Sequence, residues 1–254
     1  MPETSRKITS GTKEWADYNV NCVKGCSNDC RYCYAKMIAK RFGRKTDESW
    51  KNMEINTKAV EKSYKKYDGR VMFPSSHDIV EEPEIIEACF TVLTKLLEAD
   101  NEVLITTKPS INVTKKIIEE FDNYKKNIQF RFTIGSKNNE TLSFWEPNAP
   151  NYEERKKALQ YASTHGYKTS ISIEPFLDTN PIPMITELDP YVSESIWIGP
   201  MNYIKKNGIS AEERPYYNKI REISQKENLE KIYDDLKNHQ KIQFKDSFLN
   251  KITK

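Results

Sequence analysis

The 254-residue sequence contains no apolar run approaching the ~20 residues that a membrane span needs, so no membrane partner is expected. Its opening stretch, Met1 to Thr12, is polar and lacks the apolar core of a signal peptide. The expected address is therefore the cytoplasm, where thiols stay reduced. Neither sign of charge dominates: 40 Lys+Arg against 37 Asp+Glu gives +3, too weak and too mixed to announce a nucleic-acid binder. Histidine is scarce, with His77, His165 and His239 too scattered for a zinc-finger pair. There is no G-x-x-x-x-G-K phosphate loop and no G-x-S-x-G elbow. Repeats, low-complexity tracts and Pro/Gly/Ser linkers are absent as well. That favours one domain over residues 15–254, preceded by a loose arm over 1–14.

Cysteine is also sparse, but its distribution is not random. Of five cysteines, four lie between Cys22 and Cys33, and Cys26, Cys30 and Cys33 have the spacing C-x3-C-x2-C. In a reduced compartment such clustering argues for metal or redox chemistry, not for disulfides. Three thiolates from a short loop can hold three corners of a [4Fe–4S] cluster, leaving the fourth iron open to a small molecule. The competing reading is a binding module with a structural zinc site made from Cys22, Cys26, Cys30 and Cys33. Four-thiolate zinc sites usually come as two short pairs separated by a longer insert. Cys22 ends a predicted strand, where a packed bystander is the simpler role. Cys89 falls in a predicted helix and reads as a core residue.

Around that loop the sequence alternates. Tyr18 to Cys22 is a predicted first strand, and a helix is predicted over Arg31 to Phe42 with Tyr34, Met37, Ile38 and Phe42 on one face. Residues 45–56 read as irregular and Thr57 to Tyr67 as a polar helix. Predicted strands follow at Val71–Pro74, Val103–Thr107, Gln129–Ile134, Thr169–Ile173, Ser195–Ile198 and Lys241–Phe244. Predicted helices lie between them: Pro83–Ala99, Asn112–Tyr124 capped by Asn112, Tyr152–His165, Pro183–Tyr191 and Pro215–Lys237. Phe144 and Trp145 fall in a long loop. Six or seven strands, each followed by a helix or loop, predict right-handed βαβ units and a parallel sheet, an α/β partial (β/α)6 barrel. The strand ends collect Ser75, Ser76, His77, Lys108, Ser136, Glu174 and Met201. In β/α barrels that rim builds the active site, and the cysteine loop follows the first strand onto it.

Cys26-Ser27-Asn28-Asp29-Cys30-Arg31-Tyr32-Cys33 resembles the signature loop of the radical S-adenosylmethionine (SAM) enzymes, in which an aromatic residue, here Tyr32, precedes the third cysteine. Asp78, Lys108, Arg131 to Ser136, Glu146 to Pro150 with Glu154-Arg155, and His165-Gly166-Tyr167 are similar to the spore photoproduct lyase branch, over roughly residues 16–200. Cys33-Tyr34-Ala35 with Lys40-Arg41, and Ser172-Ile173-Glu174-Pro175, resemble a phage-associated radical SAM group of unassigned reaction. The resemblance implies [4Fe–4S] on Cys26, Cys30 and Cys33, and SAM on the open iron. One electron then cleaves SAM to methionine and a 5′-deoxyadenosyl radical, which abstracts a hydrogen atom from substrate. It implies that Lys108 meets the SAM carboxylate, that Ser136 contacts SAM, and that Tyr32 and Tyr34 lie near the cluster and radical path. An electron donor such as flavodoxin or ferredoxin is expected, and a monomer. The substrate stays open between a nucleic-acid base and a small molecule or peptide. One departure stands out. Where the lyase has a cysteine that donates hydrogen at the end of the second strand, this chain has Ser75, whose O–H bond is too strong for that task.

The remaining rim residues carry two readings each. His77 can bind SAM or substrate, relay a proton, or simply hydrogen-bond the backbone of a turn. Asp78 is expected to order its turn. Glu174 ends an apolar strand and needs a partner, a ribose hydroxyl or Lys108. Gly135 lets backbone approach a ligand closely beside Ser136. Trp197, Ile198, Met201 and Tyr203 can wall an adenine pocket, although core packing is their commoner use. Glu146-Pro147 reads as a structural turn, and Arg155, Lys156 and Lys157 as a solvated helix face. The expected catalytic positions are thus Tyr34, Ser75 and His77. The expected cofactor contacts are Tyr32, Ser76, Lys108, Ser136, Glu174 and Met201.

Overall fold

Short β-branched and aromatic runs followed by amphipathic segments produce a parallel sheet with helices on one side. The computed structural model describes residues 11–253; residues 1–10 of the expected arm lie outside the described residues. A 3-10 turn at Gly11–Glu14 leads into β1 (Tyr18–Asn19), β2 (Val23–Lys24), α1 (Tyr34–Arg41), β3 (Glu54–Ile55), α2 (Thr57–Glu61) and β4 (Val71–Phe73). Then come α3 (Pro83–Glu98), β5 (Val103–Thr107), α4 (Ile111–Glu120), β6 (Ile128–Thr133), α5 (Asn139–Trp145), α6 (Tyr152–Thr164) and β7 (Lys168–Ile173). The chain closes with α7 (Ile182–Leu188), β8 (Ile196–Ile198), α8 (Arg214–Ile223), α9 (Lys226–Leu236), β9 (Ile242–Phe244) and α10 (Asp246–Ile252). Seven strands pair in the order β1-β4-β5-β6-β7-β8-β9, every pair parallel. Spatial order follows chain order, which winds the sheet into a half-barrel with β1 and β9 as its edges. The expected partial barrel is therefore seen, with β9 extending it.

Alternation along the strands divides the two faces. Ile105, Phe130, Phe132, Ile171, Ile173, Ile196 and Ile198 join the apolar core beneath the helices. Thr106, Arg131, Ser170, Ser172 and Trp197 consequently point into the barrel. On β6 and β7 the barrel-facing residues are polar, while Met72 and Leu104 on β4 and β5 keep an apolar patch beside them, unlike the wholly apolar layers that fill many closed barrels.

Several expected elements differ, each for a local reason. The predicted first strand splits. β1 stays in the sheet, while β2 leaves it to pair antiparallel with β3, Val23 opposite Ile55 and Lys24 opposite Glu54. Gly25 makes that departure possible. Its φ is +91°, and a Cβ there would sit 2.5 Å from the Trp50 carbonyl oxygen, a conformation and an approach open only to glycine. Gly25→Ala is therefore expected to cost about 1–3 kcal/mol and to lower the melting temperature by several degrees. An unchanged melting curve would contradict this account of the loop.

α1 starts at Tyr34 because Cys33 is its N-cap, the sulfur accepting from Lys36 N at 3.4 Å. The apolar face shared by Tyr34, Met37, Ile38 and Phe42 lies on the surface, the four being 42%, 38%, 45% and 63% exposed. The small residues Ala35 and Ala39 pack instead against Trp50 and Cys26. α2 ends at Glu61, since Lys62 turns extended at φ −55°, ψ 141°. Ser110, not Asn112, caps α4, accepting from Asn112 N and Val113 N. The long C-terminal helix is two helices, α8 and α9, because Gln225 is extended at φ −67°, ψ 149°. Phe144 and Trp145 belong to a helix, α5, whose cap Asn138 accepts from Thr141 N at 2.9 Å.

Candidate active site at the cysteine loop

The loop between β2 and α1 lies over the C-terminal ends of the strands and is held from three directions. Cys26 N donates to Trp50 O at 3.0 Å, tying the loop to the segment before β3. Arg31 N donates to Trp145 O at 2.9 Å, tying it to α5. Asn28 Nδ2 donates to Asp78 Oδ2 at 2.8 Å. Asp78 is buried and also accepts from Ile79 N at 2.9 Å, Lys108 N at 2.8 Å and the Thr107 hydroxyl. One carboxylate thus clamps the loop to the ends of β4 and β5, the ordering role expected of it.

Cys26 and Cys30 are buried and Cys33 is half-buried. Burial pushes all three thiols up: Cys26 to about 12, with Asp78 and Cys33 adding to the rise, and Cys30 well above the usual thiol range. Lys108 opposes the rise at each. Among the described residues, one set of three His, Cys or carboxylate ligand atoms lies within 4.8 Å of one another, and it is Cys22, His77 and Cys89. The thiols of Cys26, Cys30 and Cys33 lie near enough to act on one another electrostatically, as three ligands of one group must. The four-cysteine zinc reading fails here. Cys22 is fully buried in the main core, its Sγ 3.7 Å from that of Cys89. Cys89 is the core residue expected.

Beneath the loop lies a buried ionic chain that charge patterning concealed. The Tyr32 hydroxyl donates to Glu146, and Glu146 pairs with the Arg155 guanidinium. Arg155 and Glu146 side chains are both 0% exposed. Arg155 also donates to Pro150 O at 2.7 Å and Thr133 O at 3.1 Å. So Arg155 is not a solvated surface residue and Glu146 is not merely a turn; each neutralises the other inside the domain. Burial would raise the Glu146 carboxyl, but the Arg155 and Lys108 charges hold it below the usual carboxylate range. Burial would likewise lower the Lys108 ammonium, yet Cys30, Glu146 and Asp78 raise it overall. Lys108 thus stays charged with its Nζ 5.7 Å from the Tyr32 ring centroid.

The other sequence-selected residues fall into two groups. Near the loop, the Tyr34 hydroxyl donates to Ser75 O. Although Tyr34 is 42% exposed, desolvation around its hydroxyl pushes that group up, with Cys33 and Glu174 adding to the rise. Asn21 organises the two serines: its Oδ1 accepts from Ser75 N at 2.7 Å and Ser76 N at 2.8 Å, and its Nδ2 donates to Ser75 Oγ at 2.9 Å. Glu174 finds its partner in Lys245, at 3.6 Å, and not in Lys108. Burial raises its carboxyl all the same. Lys245 also meets Glu14 at 3.0 Å and Gly11 O at 2.8 Å. No sequence signal marked Lys245.

The second group is committed to structure. His77 is buried; its Nε2 accepts from Cys22 N at 3.3 Å and its Nδ1 faces Asp78 O at 3.1 Å, which assigns the proton to Nδ1. Ser136 is fully buried, donating to Asp178 and accepting from Asn138 N at 2.9 Å. Gly135 does permit a close approach, but to Pro175 O, 2.7 Å from where a Cβ would stand. Met201 is 2% exposed in the core, while Tyr203 is 60% exposed.

The sequence profile of the radical SAM superfamily matches residues 20–180, and the chain belongs to that superfamily of enzymes. Membership implies SAM and an iron–sulfur cluster as its cofactors. An uncharacterized protein of the Acidianus two-tailed virus is 28% identical over 182 residues, covering 67% of this chain and 60% of that protein. An uncharacterized protein of Methanocaldococcus jannaschii is 26% identical over 164 residues, covering 64% of this chain and 61% of its own length. The chain therefore spans about 60% of the length of these curated relatives. Among solved structures, a spore photoproduct lyase mutant with bound AdoMet and dinucleoside spore photoproduct superposes with a TM-score of 0.53 at 16% identity, covering 87% of this chain and 64% of that one. The same lyase complexed with dinucleoside spore photoproduct gives 0.52 at 17% identity, with 87% and 64% covered. These likenesses speak to the fold. Among the described residues no helix is long and apolar enough to cross a membrane.

Proposed function

We propose that Cys26, Cys30 and Cys33 hold three corners of a [4Fe–4S] cluster whose fourth iron is left for SAM. The observation that carries this is the convergence of three buried or half-buried thiols of one loop at the C-terminal strand ends, with the Lys108 ammonium acting on all three. When bound and reduced, such a cluster supplies the electron that splits SAM into methionine and a 5′-deoxyadenosyl radical able to take a hydrogen atom from substrate. The chain's own residues orient and shield. Lys108 stays charged and suits the SAM carboxylate. Tyr32, anchored through Glu146 and Arg155, sets the floor behind Cys30. Glu174, with Tyr34 beside it, offers an acceptor for a ribose hydroxyl, and Ser75 and Ser76 lie at the neighbouring strand end. Ser136, His77 and Met201 support this rim from behind. Electrons come from a flavodoxin- or ferredoxin-like donor, and the enzyme acts as a cytoplasmic monomer.

A nucleic-acid base is one candidate substrate, by analogy with the dinucleoside photoproduct held by the lyase structures. Ser75 argues against the lyase's own repair reaction, because a serine O–H is a poor hydrogen-atom donor. The test is direct. Anaerobically reconstituted protein with reductant and SAM should release 5′-deoxyadenosine and bind about four irons per chain. Zinc at one per chain with no visible absorbance would sink the reading. In the same assay Cys22→Ser should keep its iron; an equal loss would place Cys22 among the ligands.

A further inference from the structure

Arg131 lies in the middle of β6, in register with Thr106 of β5 and Ser170 of β7. Its neighbours Phe130 and Phe132 belong to the core beneath the helices, so Arg131 points into the barrel. It is 2% exposed. Nε donates to Ser170 Oγ at 3.1 Å and Nη2 to Ser195 Oγ at 3.4 Å, while Nη1 has no partner. The rings of Trp15 and Trp197 flank the guanidinium, their centroids 4.8 and 5.4 Å away. Among the described residues no carboxylate lies within 4.0 Å of it, in contrast with Arg155, which has Glu146.

A buried cation without a counter-charge is costly, and neutral hydroxyls and aromatic faces offset only part of that cost. Burial itself, with the nearby Arg70 charge, draws the guanidinium down to about 9, and the Glu174 carboxylate offsets only part of that fall. Two hydroxyls on the same barrel-facing side, Thr106 Oγ1 and Ser172 Oγ, are also buried without partners, as is the Trp15 indole nitrogen. Thr106 and Ser172 each precede by two residues a rim position, Lys108 and Glu174, so they lie one layer below the rim. The barrel interior thus offers a cation with no carboxylate in contact, since Glu174, which acts on it from further off, is engaged by Lys245, together with several unpaired hydrogen-bonding groups.

We propose that Arg131 anchors an oxyanion of the substrate, a phosphate or carboxylate, inside the barrel, with Thr106 and Ser172 as accessory donors. The planar guanidinium with one unpartnered nitrogen suits such a group. An oxyanion that reaches Arg131 must enter the barrel, which points to a small phosphorylated or carboxylated molecule; the backbone of a duplex lying on the surface cannot reach it. Calling this group the substrate's rests on the radical SAM reading of the rim above it.

The experiment needs neither cluster nor SAM. The full chain is titrated with inorganic phosphate and, separately, with acetate at constant ionic strength set by chloride, following tryptophan fluorescence and melting temperature. The wild type should show a saturable response to at least one of the two, and which one names the oxyanion. Arg131→Gln should abolish the response and Arg131→Lys retain part of it. If Arg131→Gln does not fold, Ser172→Ala should weaken the response about tenfold, the loss of one hydrogen bond to a charged group. No response beyond chloride in the wild type, or an equal response in Arg131→Gln or Ser172→Ala, overturns the proposal. Absence of this response in the wild type, with 5′-deoxyadenosine formation intact, would sink the anion site alone. A normal response without 5′-deoxyadenosine would sink the radical SAM reading alone.

Discussion

Cys30→Ala is expected to remove the iron–sulfur absorbance and to reduce 5′-deoxyadenosine formation to the level of a protein-free control. Cys30 is 6% exposed and lies where the Cys26, Cys33, Lys108 and Glu146 charges all act on it. No other thiol can replace it. Cys22 and Cys89, the two cysteines outside the triad, are fully buried and in contact with each other at 3.7 Å. The loss should therefore be complete and not graded, amounting to the whole acceleration the cofactor supplies, about 10⁶-fold or more for enzymes generally. Cys89→Ser is the matched control. It alters the core by one atom beside Cys22 and should retain iron and turnover. Iron content and product are measured on the same anaerobic samples, so a folding defect is separated by comparing near-ultraviolet circular dichroism. Substantial product from Cys30→Ala, or equal loss in Cys89→Ser, would mean that the ligand set is misassigned.

The parts that could be read from the residues are those where local chemistry decides the outcome. β5 is observed over the span its β-branched run predicts, and α3 starts at Pro83, whose missing N–H suits a first turn. The order of strands and helices followed from alternation, and the cysteine spacing pointed to the loop. What escaped the sequence depends on partners distant along the chain. β2 and β3 are two residues each and have no periodicity; their pairing depends on Gly25 meeting Trp50. α1 carries an apolar stripe, yet it packs through Ala35 and Ala39, because only small residues let the helix approach Trp50 and Cys26. Lys245, just after β9, and Arg131, within β6, are ordinary basic residues by sequence, and burial inside the barrel is a property of the curved sheet. Charge patterning assigned Arg155 to solvent because a first-turn arginine on a polar helix has that look until Glu146 is placed opposite it.

That pair supports the second large expectation. Arg155→Met should destabilise the protein by about 3–5 kcal/mol, since it leaves the Glu146 carboxylate buried without its cation. In a chain of this size that is a fall of about 6–20 °C in melting temperature. The double variant Glu146→Leu with Arg155→Met removes both charges and should recover a large part of the loss, because a buried ion pair gains little over an apolar pair of similar volume. Tyr32 then loses its acceptor, so the double variant should still load iron less well than the wild type. The pH dependence has a defined sign. The folded Glu146 carboxyl is held below its usual range. Its contribution is therefore present above the unfolded carboxyl value of about 4.3 and is lost as pH falls through the lower folded value. The urea midpoint of the wild type should fall more steeply on acidification below about pH 4.3 than that of Glu146→Gln. Parallel acid profiles would show that Glu146 is not held ionised by Arg155. A double variant no more stable than Arg155→Met would show that the buried charge is not what the single substitution exposes.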